Sequence, residues 1–416
     1  MKYLNNSLIS YSEKILLLLL VTIPIQLLSG SAVINVGVIL SNFFMLIILF
    51  INRQLFNNYY KIIYAFLFLS ASLIINSFFS TSFESSISRA ISFLRFPLYV
   101  IAILYIFSYE NYRRKIYFYW TIIFFIVFFD LIFEYYSGHN ILGFRSYMPG
   151  RLASFLNKEL IIGNYYLGFS LLALSFVFNY VRQKKRLFIF FLSIVIILIG
   201  FLIGERSNFI KLFIIFFAFY IFFIEKKNIF YFLLIILTLL ISLTMFIKTK
   251  PINSPIIHRW ISITNQIENK ENIFSFINST QYGQHYKTAK KIFIKYPVFG
   301  SGLKTFRIES FKTEYVDLTD PMTNWRGATH PHQVHYEILS ETGLIGYIIF
   351  FSFFSYFVII SINSFIRTKN IYQLSSILFV ISAFIPLLPG GSFFSSYGAT
   401  IFWVNFSVMI FYNRIK

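Results

Sequence analysis

The stretch IYFYWTIIFFIVFFDLIFE, Ile116–Glu134, decides how this chain must be read. Arg113, Arg114 and Lys115 stand immediately before it, and its only charged residues, Asp130 and Glu134, come one turn apart at its far end. A helix rises about 1.5 Å per residue, so roughly 20 apolar residues cross a hydrocarbon core about 30 Å thick. The stretch therefore predicts a membrane-crossing helix with its basic end in the cytoplasm. Asp130 and Glu134 face either a hydrated cleft or simply the outer end of the span.

Similar blocks recur outward from it in both directions, at 15–29, 31–51, 62–79, 91–108, 161–180, 187–203, 208–224, 228–247, 335–362, 371–388 and 397–412. Together they predict an all-α polytopic membrane protein of about 12 transmembrane helices, since in lipid an open chain satisfies its backbone only as helix. Composition agrees: of 416 residues 57% are hydrophobic, 21% aromatic and only 12% charged, more apolar surface than a soluble domain can hide. Ile15–Leu28 runs on through Gly30 into the next block without a small-residue cleavage site, and is read as a retained anchor.

The formal charge of +20 does not mark a nucleic-acid binder, because the basic residues are dispersed over alternate loops. Lys2/Lys14, Arg53/Lys61, Arg113–Lys115, Arg182/Lys184/Lys185/Arg186, Lys226/Lys227, Arg367/Lys369 and Arg414/Lys416 all fall on one side of the predicted spans. That side is the cytoplasm, with both termini on it. The expected division is 1–247, nine helices; 248–334, one large extracytoplasmic loop; and 335–416, three further helices, all within a single membrane domain. The chain has no cysteine, which excludes only thiol chemistry. No internal repeat and no matched pair of Gly/Pro-broken helices is present, which lowers a transporter reading.

Unusual polar residues concentrate in three extracytoplasmic stretches, 135–160, 204–207 and 248–334. In the second, Gly204-Glu205-Arg206-Ser207 leaves Arg206 between two apolar blocks, where a guanidinium is costly. It either snorkels or pairs with Glu205, or it anchors a phosphate through its planar fork. Arg151, beside Pro149-Gly150, is a second candidate phosphate contact, with Arg145 behind it. In the long stretch, YKTAKKIFIKY (Tyr286–Tyr296) spaces Ala289, Ile292, Phe293 and Tyr296 as one helix face among four lysines, which predicts a helix lying on the membrane surface. Pro297 and Gly300-Ser301-Gly302 end it in a turn.

The densest constellation runs from Arg326 through His330-Pro331-His332-Gln333-Val-His335-Tyr336-Glu337 to Glu341-Thr-Gly343-Leu-Ile-Gly346. Pro331 interrupts the histidine spacing and no familiar ligand pattern completes it, so no metal is expected. Neutral imidazole suits proton abstraction from a sugar hydroxyl, and His332 is the candidate general base, with His330 supporting. Glu341 reads as a helix residue that pairs with an arginine. The chain's three aspartates, Asp130, Asp317 and Asp320, form no pair able to hold a divalent ion.

His332-Gln333 followed by Glu341-Thr-Gly343-Leu-Ile-Gly346 resembles the signature of the O-antigen ligase and polymerase family, in which a His-Asn pair precedes a helix with Glu-x-Gly-x-x-Gly. Gln333 stands for the usual Asn and Tyr336 for a usual Leu. Gly204–Ser207, Arg151–Gly163 and Pro297–Arg307 resemble further family segments, so the likeness spans roughly 145–350. It implies a fold related to C-type membrane glycosyltransferases. It also implies metal-independent and cofactor-free transfer of an undecaprenyl-diphosphate-linked glycan at the periplasmic face of the bacterial inner membrane. The acceptor would be lipid A-core in lipopolysaccharide biosynthesis, as for an O-antigen ligase, or a growing glycan, as for a polymerase. A polysaccharide flippase is the alternative from another class. His332 would activate the acceptor while Arg206, Arg151 and Arg326 bind the diphosphate, supported by Glu341, Gly343 and His330. For the family's loop arginine, Arg259, Arg307 and Arg326 compete.

Overall fold

The computed structural model describes residues 2–156, 159–180, 186–223, 237, 241, 245, 255–268, 270 and 272–414. Apart from residues 237, 241 and 245, the predicted span 228–247 lies outside them, as do the basic positions Arg182, Lys184, Lys185, Lys226, Lys227 and Lys416. Among the described residues the structure is helical, with no strand. In chain order the helices are α1 (Lys2–Val21), α2 (Ile23–Leu28), α3 (Ser31–Ile51), α4 (Leu55–Phe78), α5 (Phe83–Phe93), α6 (Arg95–Ser108), α7 (Glu110–Ser137), α8 (Ile162–Tyr180), α9 (Arg186–Leu202) and α10 (Arg206–Phe223). They continue with α11 (Pro255–Glu268), α12 (Ile273–Asn278), α13 (Gln281–Lys295), α14 (Phe306–Glu309), α15 (Val334–Thr368), α16 (Ile371–Ser382) and α17 (Ser396–Phe411).

Among the described residues six segments are long and apolar enough to cross a membrane: Ser31–Ile51, Leu55–Phe78, Phe83–Ser108, Glu110–Ser137, Ile162–Tyr180 and Val334–Thr368. Phe188–Leu202, Ile371–Ser382 and Ser396–Phe411 are shorter apolar helices. The chain is thus a multi-pass membrane protein, built around α17. Tyr397 and Ala399–Phe411 are all buried, as expected of a helix apolar on every side. Trp403, fully buried, has the rings of Phe66, Phe93, Phe354 and Phe402 around it at 5.3–5.8 Å between centroids. Lipid tails are as apolar as these side chains, so close packing and ring geometry hold the bundle together, about 0.5–1.5 kcal/mol per aromatic pair.

α15 is interrupted at Gly343, where φ is 65° and ψ −167°. The loop after α13 fills the interruption: Ser301 N donates to Ser340 O (2.9 Å), Gly302 N to Glu341 O (2.9 Å) and Leu344 N to Pro297 O (2.8 Å). Ile345 N also donates to Val298 O (3.2 Å), so the Pro297–Gly302 turn takes up two carbonyls and two N–H groups at the break. Both Gly300 and Gly343 have positive φ, and a Cβ on either would lie 2.3–2.5 Å from the other strand's backbone. The two glycine motifs read separately in the sequence are the two halves of one clasp.

The predicted surface helix differs from expectation. α13 begins earlier, at Gln281, because the Thr280 side chain caps it by accepting from Gly283 N (3.1 Å). Its apolar face is covered by the protein itself: Ala289 and Ile292 pack with Phe306 and Tyr315. Its lysines meet acidic partners, Lys287 with Asp320 (2.6 Å) and Lys295 with Glu314 (2.7 Å). Lys287 holds the Asp320 carboxyl down to about 2. A helix with an apolar stripe and basic flanks has the same sequence pattern whether lipid or protein covers the stripe.

Candidate functional site

The 138–156 loop is tied down by the two carboxylates at the end of α7. Glu134 accepts from Ala153 N (3.1 Å) and Ser154 N (2.7 Å), while Asp130 accepts from Ile141 N (2.8 Å) and from the Ser154 hydroxyl. Both carboxylates are buried, and both serve loop architecture. So anchored, the loop crosses the start of α10 at Gly150 and Gly204, two positive-φ glycines. A Cβ on Gly204 would lie 2.2 Å from Gly150 O, and one on Gly150 would meet Pro255 O at 2.5 Å and Arg259 Cδ at 2.8 Å. This crossing lets Arg151, Arg206 and Arg259 converge.

Their environments are unequal. Arg151 pairs with Glu205 (2.8 Å), donates to Leu160 O (2.7 Å), and has a side chain only 16% exposed. Glu205 also accepts from Gly163 N (3.0 Å) and Asn208 Nδ2 (2.6 Å). Glu205 therefore neutralises Arg151 rather than the adjacent Arg206. Arg206 reaches only the carbonyl of Arg259, at 3.5 Å. Arg259 reaches the Met148 sulfur at 3.4 Å, and its Nε is buried without a partner. Burial, then the charges of Arg151 and Arg206, lowers the Arg259 pKa. Among the described residues neither guanidinium is in a salt bridge, although Glu205 lies within electrostatic reach of Arg259, and Tyr282 lies within electrostatic reach of both.

Tyr282 joins this cluster to the histidines. Its ring is 5.4 Å from that of His332, edge to face. His330 lies 4.0 Å and His285 5.4 Å from His332, centroid to centroid. His285 Nδ1 donates to Arg326 O at 3.3 Å, and its Nε2 is buried without a partner among the described residues. Burial pushes the His332 imidazole down to about 3, assisted by His330 and His285. His330 is pushed down to about 4, mainly by burial. Both rings are therefore neutral at ordinary pH.

His332 is held by its backbone. Its φ is 60°, a left-handed conformation uncommon outside glycine. Its carbonyl accepts from Gly390 N (2.7 Å), and the next residue, Gln333, caps α15 by accepting from Tyr336 N (3.0 Å). The turn that carries Gly390 is anchored in turn by Glu337, which accepts from Phe393 N (2.9 Å) and from the Ser392 hydroxyl. Glu341 accepts from Lys304 N (2.8 Å) and Phe306 N (3.2 Å), so it holds backbone, although Arg89 lies within its electrostatic reach. His335 is a structural histidine: Nδ1 meets Tyr347 Oη and Nε2 meets Phe384 O, both at 2.9 Å, with its ring stacked on Phe351.

Of the sequence candidates, His332, His330, Arg206 and Arg151 come together in this cluster. Arg326 points its guanidinium at the carbonyls of Thr323 and Phe311. Gly343 lies in the clasp. Tyr282 and Gly390 carried no chemical signal in the sequence, because their positions depend on how α13 and the 385–395 turn fold back. Among the described residues no group of three His, Asp or Glu has metal-binding geometry.

No curated protein gives a significant match to the chain. Residues 191–351, which contain Arg206, Arg259, Tyr282 and His332, match a family model described as O-antigen ligase.

Proposed function

We propose that this protein transfers a polyprenyl-diphosphate-linked glycan to an acceptor sugar at the periplasmic face of the inner membrane, with lipid A-core as the acceptor. The observation that carries the reading is the juxtaposition of two guanidinium groups, Arg206 and Arg259, in no salt bridge among the described residues, with a neutral imidazole, His332, through Tyr282. Guanidinium forks match the oxygens of a diphosphate and hold charge as it develops there. Arg259 takes the part of the loop arginine, and Arg151 shapes the cradle through Glu205.

In the step envisaged, His332 removes the proton of the acceptor hydroxyl as its oxygen bonds to the anomeric carbon. The bond from that carbon to the phosphate oxygen breaks, and its electron pair leaves on the polyprenyl diphosphate between Arg206 and Arg259. The imidazolium then releases its proton to water. Held by two guanidinium groups, the leaving group needs neither protonation nor a divalent ion.

Replacing His332 with Ala in cells tests the reading. The expected outcome is core lipid without O-chain while lipid-linked polymer accumulates. Single-repeat caps on the core would instead make the protein a polymerase. Glycan trapped on the cytoplasmic side would make it a flippase and overturn the transferase reading.

A further inference from the structure

A second group of cations lies beside the histidines and takes no part in the step above. Arg307 is exposed and makes no hydrogen bond or ion pair among the described residues; its charge acts on His330, Lys304 and Arg89. Lys304, at φ 64°, is fixed through its backbone N–H by Glu341, while its ammonium group likewise has no partner among the described residues. Arg89 is half-buried, donates to Phe394 O (2.6 Å) and faces the buried carboxylates of Glu337 and Glu341. Both carboxylates accept backbone N–H groups and face Arg89 rather than the outer pair. Glu309, the acidic residue nearest Arg307 in sequence, is buried and bonded to Lys312 (2.6 Å) and the Tyr315 hydroxyl (3.3 Å). Arg89 is offset by the Glu337 and Glu341 carboxylates, so the outer pair, Lys304 and Arg307, leaves the patch with excess positive charge that attracts an anion.

We infer that Lys304 and Arg307, backed by Arg89, form an acceptor subsite that binds an anionic substituent, phosphate or carboxylate, on the acceptor sugar itself or its immediate neighbour. The position argues for the acceptor. Arg307 acts on His330, whose ring is 4.0 Å from His332, whereas Arg206 and Arg259 reach His332 through Tyr282. The histidines therefore have a cationic cluster on each of two sets of neighbours. The lipid end of the acceptor, with any anionic group it carries, lies several sugars from the reacting hydroxyl, too far to sit beside the base. An anion at Arg307 must then belong to the sugar being attacked or the next one. That the anion belongs to an acceptor rests on the transfer reading; that an anionic sugar binds here does not.

The test uses the full chain in phosphatidylcholine nanodiscs and needs no turnover, so it is independent of what His332→Ala does to transfer. Glucose, glucose 6-phosphate and glucuronate are titrated by saturation-transfer NMR, with inorganic pyrophosphate as probe of the Arg206/Arg259 cluster. The inference expects one or both anionic sugars to bind in preference to glucose. Which of the two binds tells phosphate from carboxylate. The double variant Lys304→Gln/Arg307→Gln should weaken that binding about tenfold or more and leave pyrophosphate binding intact, which also reports that the protein is folded. Arg307→Lys should recover most of the loss. Equal binding of glucose, an unchanged double variant, or loss on Arg206→Gln instead would overturn it. So would displacement of the sugar by phosphatidylglycerol in the discs, which would make the patch a headgroup site.

Discussion

Arg151 and Arg206 approach the same Gly150–Gly204 crossing and end in opposite conditions. Arg151 has a carboxylate at 2.8 Å and a carbonyl at 2.7 Å, while Arg206 has one carbonyl at 3.5 Å. The same division separates the histidines: His335 has both ring nitrogens engaged, whereas His285 keeps a buried, unpartnered Nε2 beside His332. Satisfied polar groups at the membrane edge build the scaffold, since an unsatisfied one is costly there. Buried unpartnered atoms also occur in the scaffold, at Arg151 Nε and Trp403 Nε1, so it is the convergence of such guanidinium and imidazole groups around His332 that marks where a ligand completes the structure.

The sharpest way to break this comparison is to exchange the histidines. His332→Ala is expected to slow transfer in a purified assay by about 10²–10⁴-fold, the usual range for a lost general base, without lowering thermal stability. His335→Ala should leave turnover per folded molecule nearly unchanged. Its cost falls on stability, about 1–3 kcal/mol for stranding the Phe384 carbonyl and the Tyr347 hydroxyl, read by thermal unfolding. Equal rate losses for the two would erase the distinction.

Next come the arginines. Arg206→Ala and Arg259→Ala should each lower kcat/KM for the lipid-linked donor by about 10²-fold, as removal of one charge-stabilising donor does elsewhere. Arg206→Lys should recover only part of it, because an ammonium group lacks the planar fork. Arg151→Gln leaves Glu205 largely buried without its cation, and the expected loss is in stability, about 3 kcal/mol. A selective loss of donor affinity in Arg151→Gln would move Arg151 into the binding set.

The smallest effect is in the pH profile. His332 acts as the neutral imidazole, so activity falls as pH drops through its pKa. That pKa is held at about 3 in the free protein, so kcat/KM should stay flat from pH 8 down to about 5. Bound diphosphate brings negative charge beside the ring and raises its pKa. The acidic limb of kcat should therefore lie at higher pH than that of kcat/KM. A limb in kcat/KM near pH 6.5 would show an unperturbed histidine.

How much of this was legible in the sequence follows from what lipid demands. Ile116–Glu134 and Ser31–Ile51 announce themselves because a span needs length and apolarity, and both are local properties. Arg206 was legible for the opposite reason, a charge flanked by apolar blocks. Which carboxylate neutralises which arginine was not legible: Glu205 adjoins Arg206 in sequence yet pairs with Arg151, because Asp130 and Glu134 draw the 138–156 loop across it. Gly343 and Gly300 looked like two ordinary turns, and their mutual contact depends on strands 40 residues apart meeting face to face. Arg259 and Tyr282 sit in a polar stretch rich in such residues, where composition cannot single out two side chains.

The central claim is that Arg206 and Arg259 cradle a lipid diphosphate next to His332. Its most direct test is a cryo-EM structure of the full chain in nanodiscs with a non-hydrolysable polyprenyl diphosphate sugar. The account predicts diphosphate oxygens within hydrogen-bond distance of both guanidinium groups, with the anomeric carbon turned toward the His332 imidazole. A diphosphate bound away from Arg206 and Arg259, with His332 facing no sugar, would contradict it.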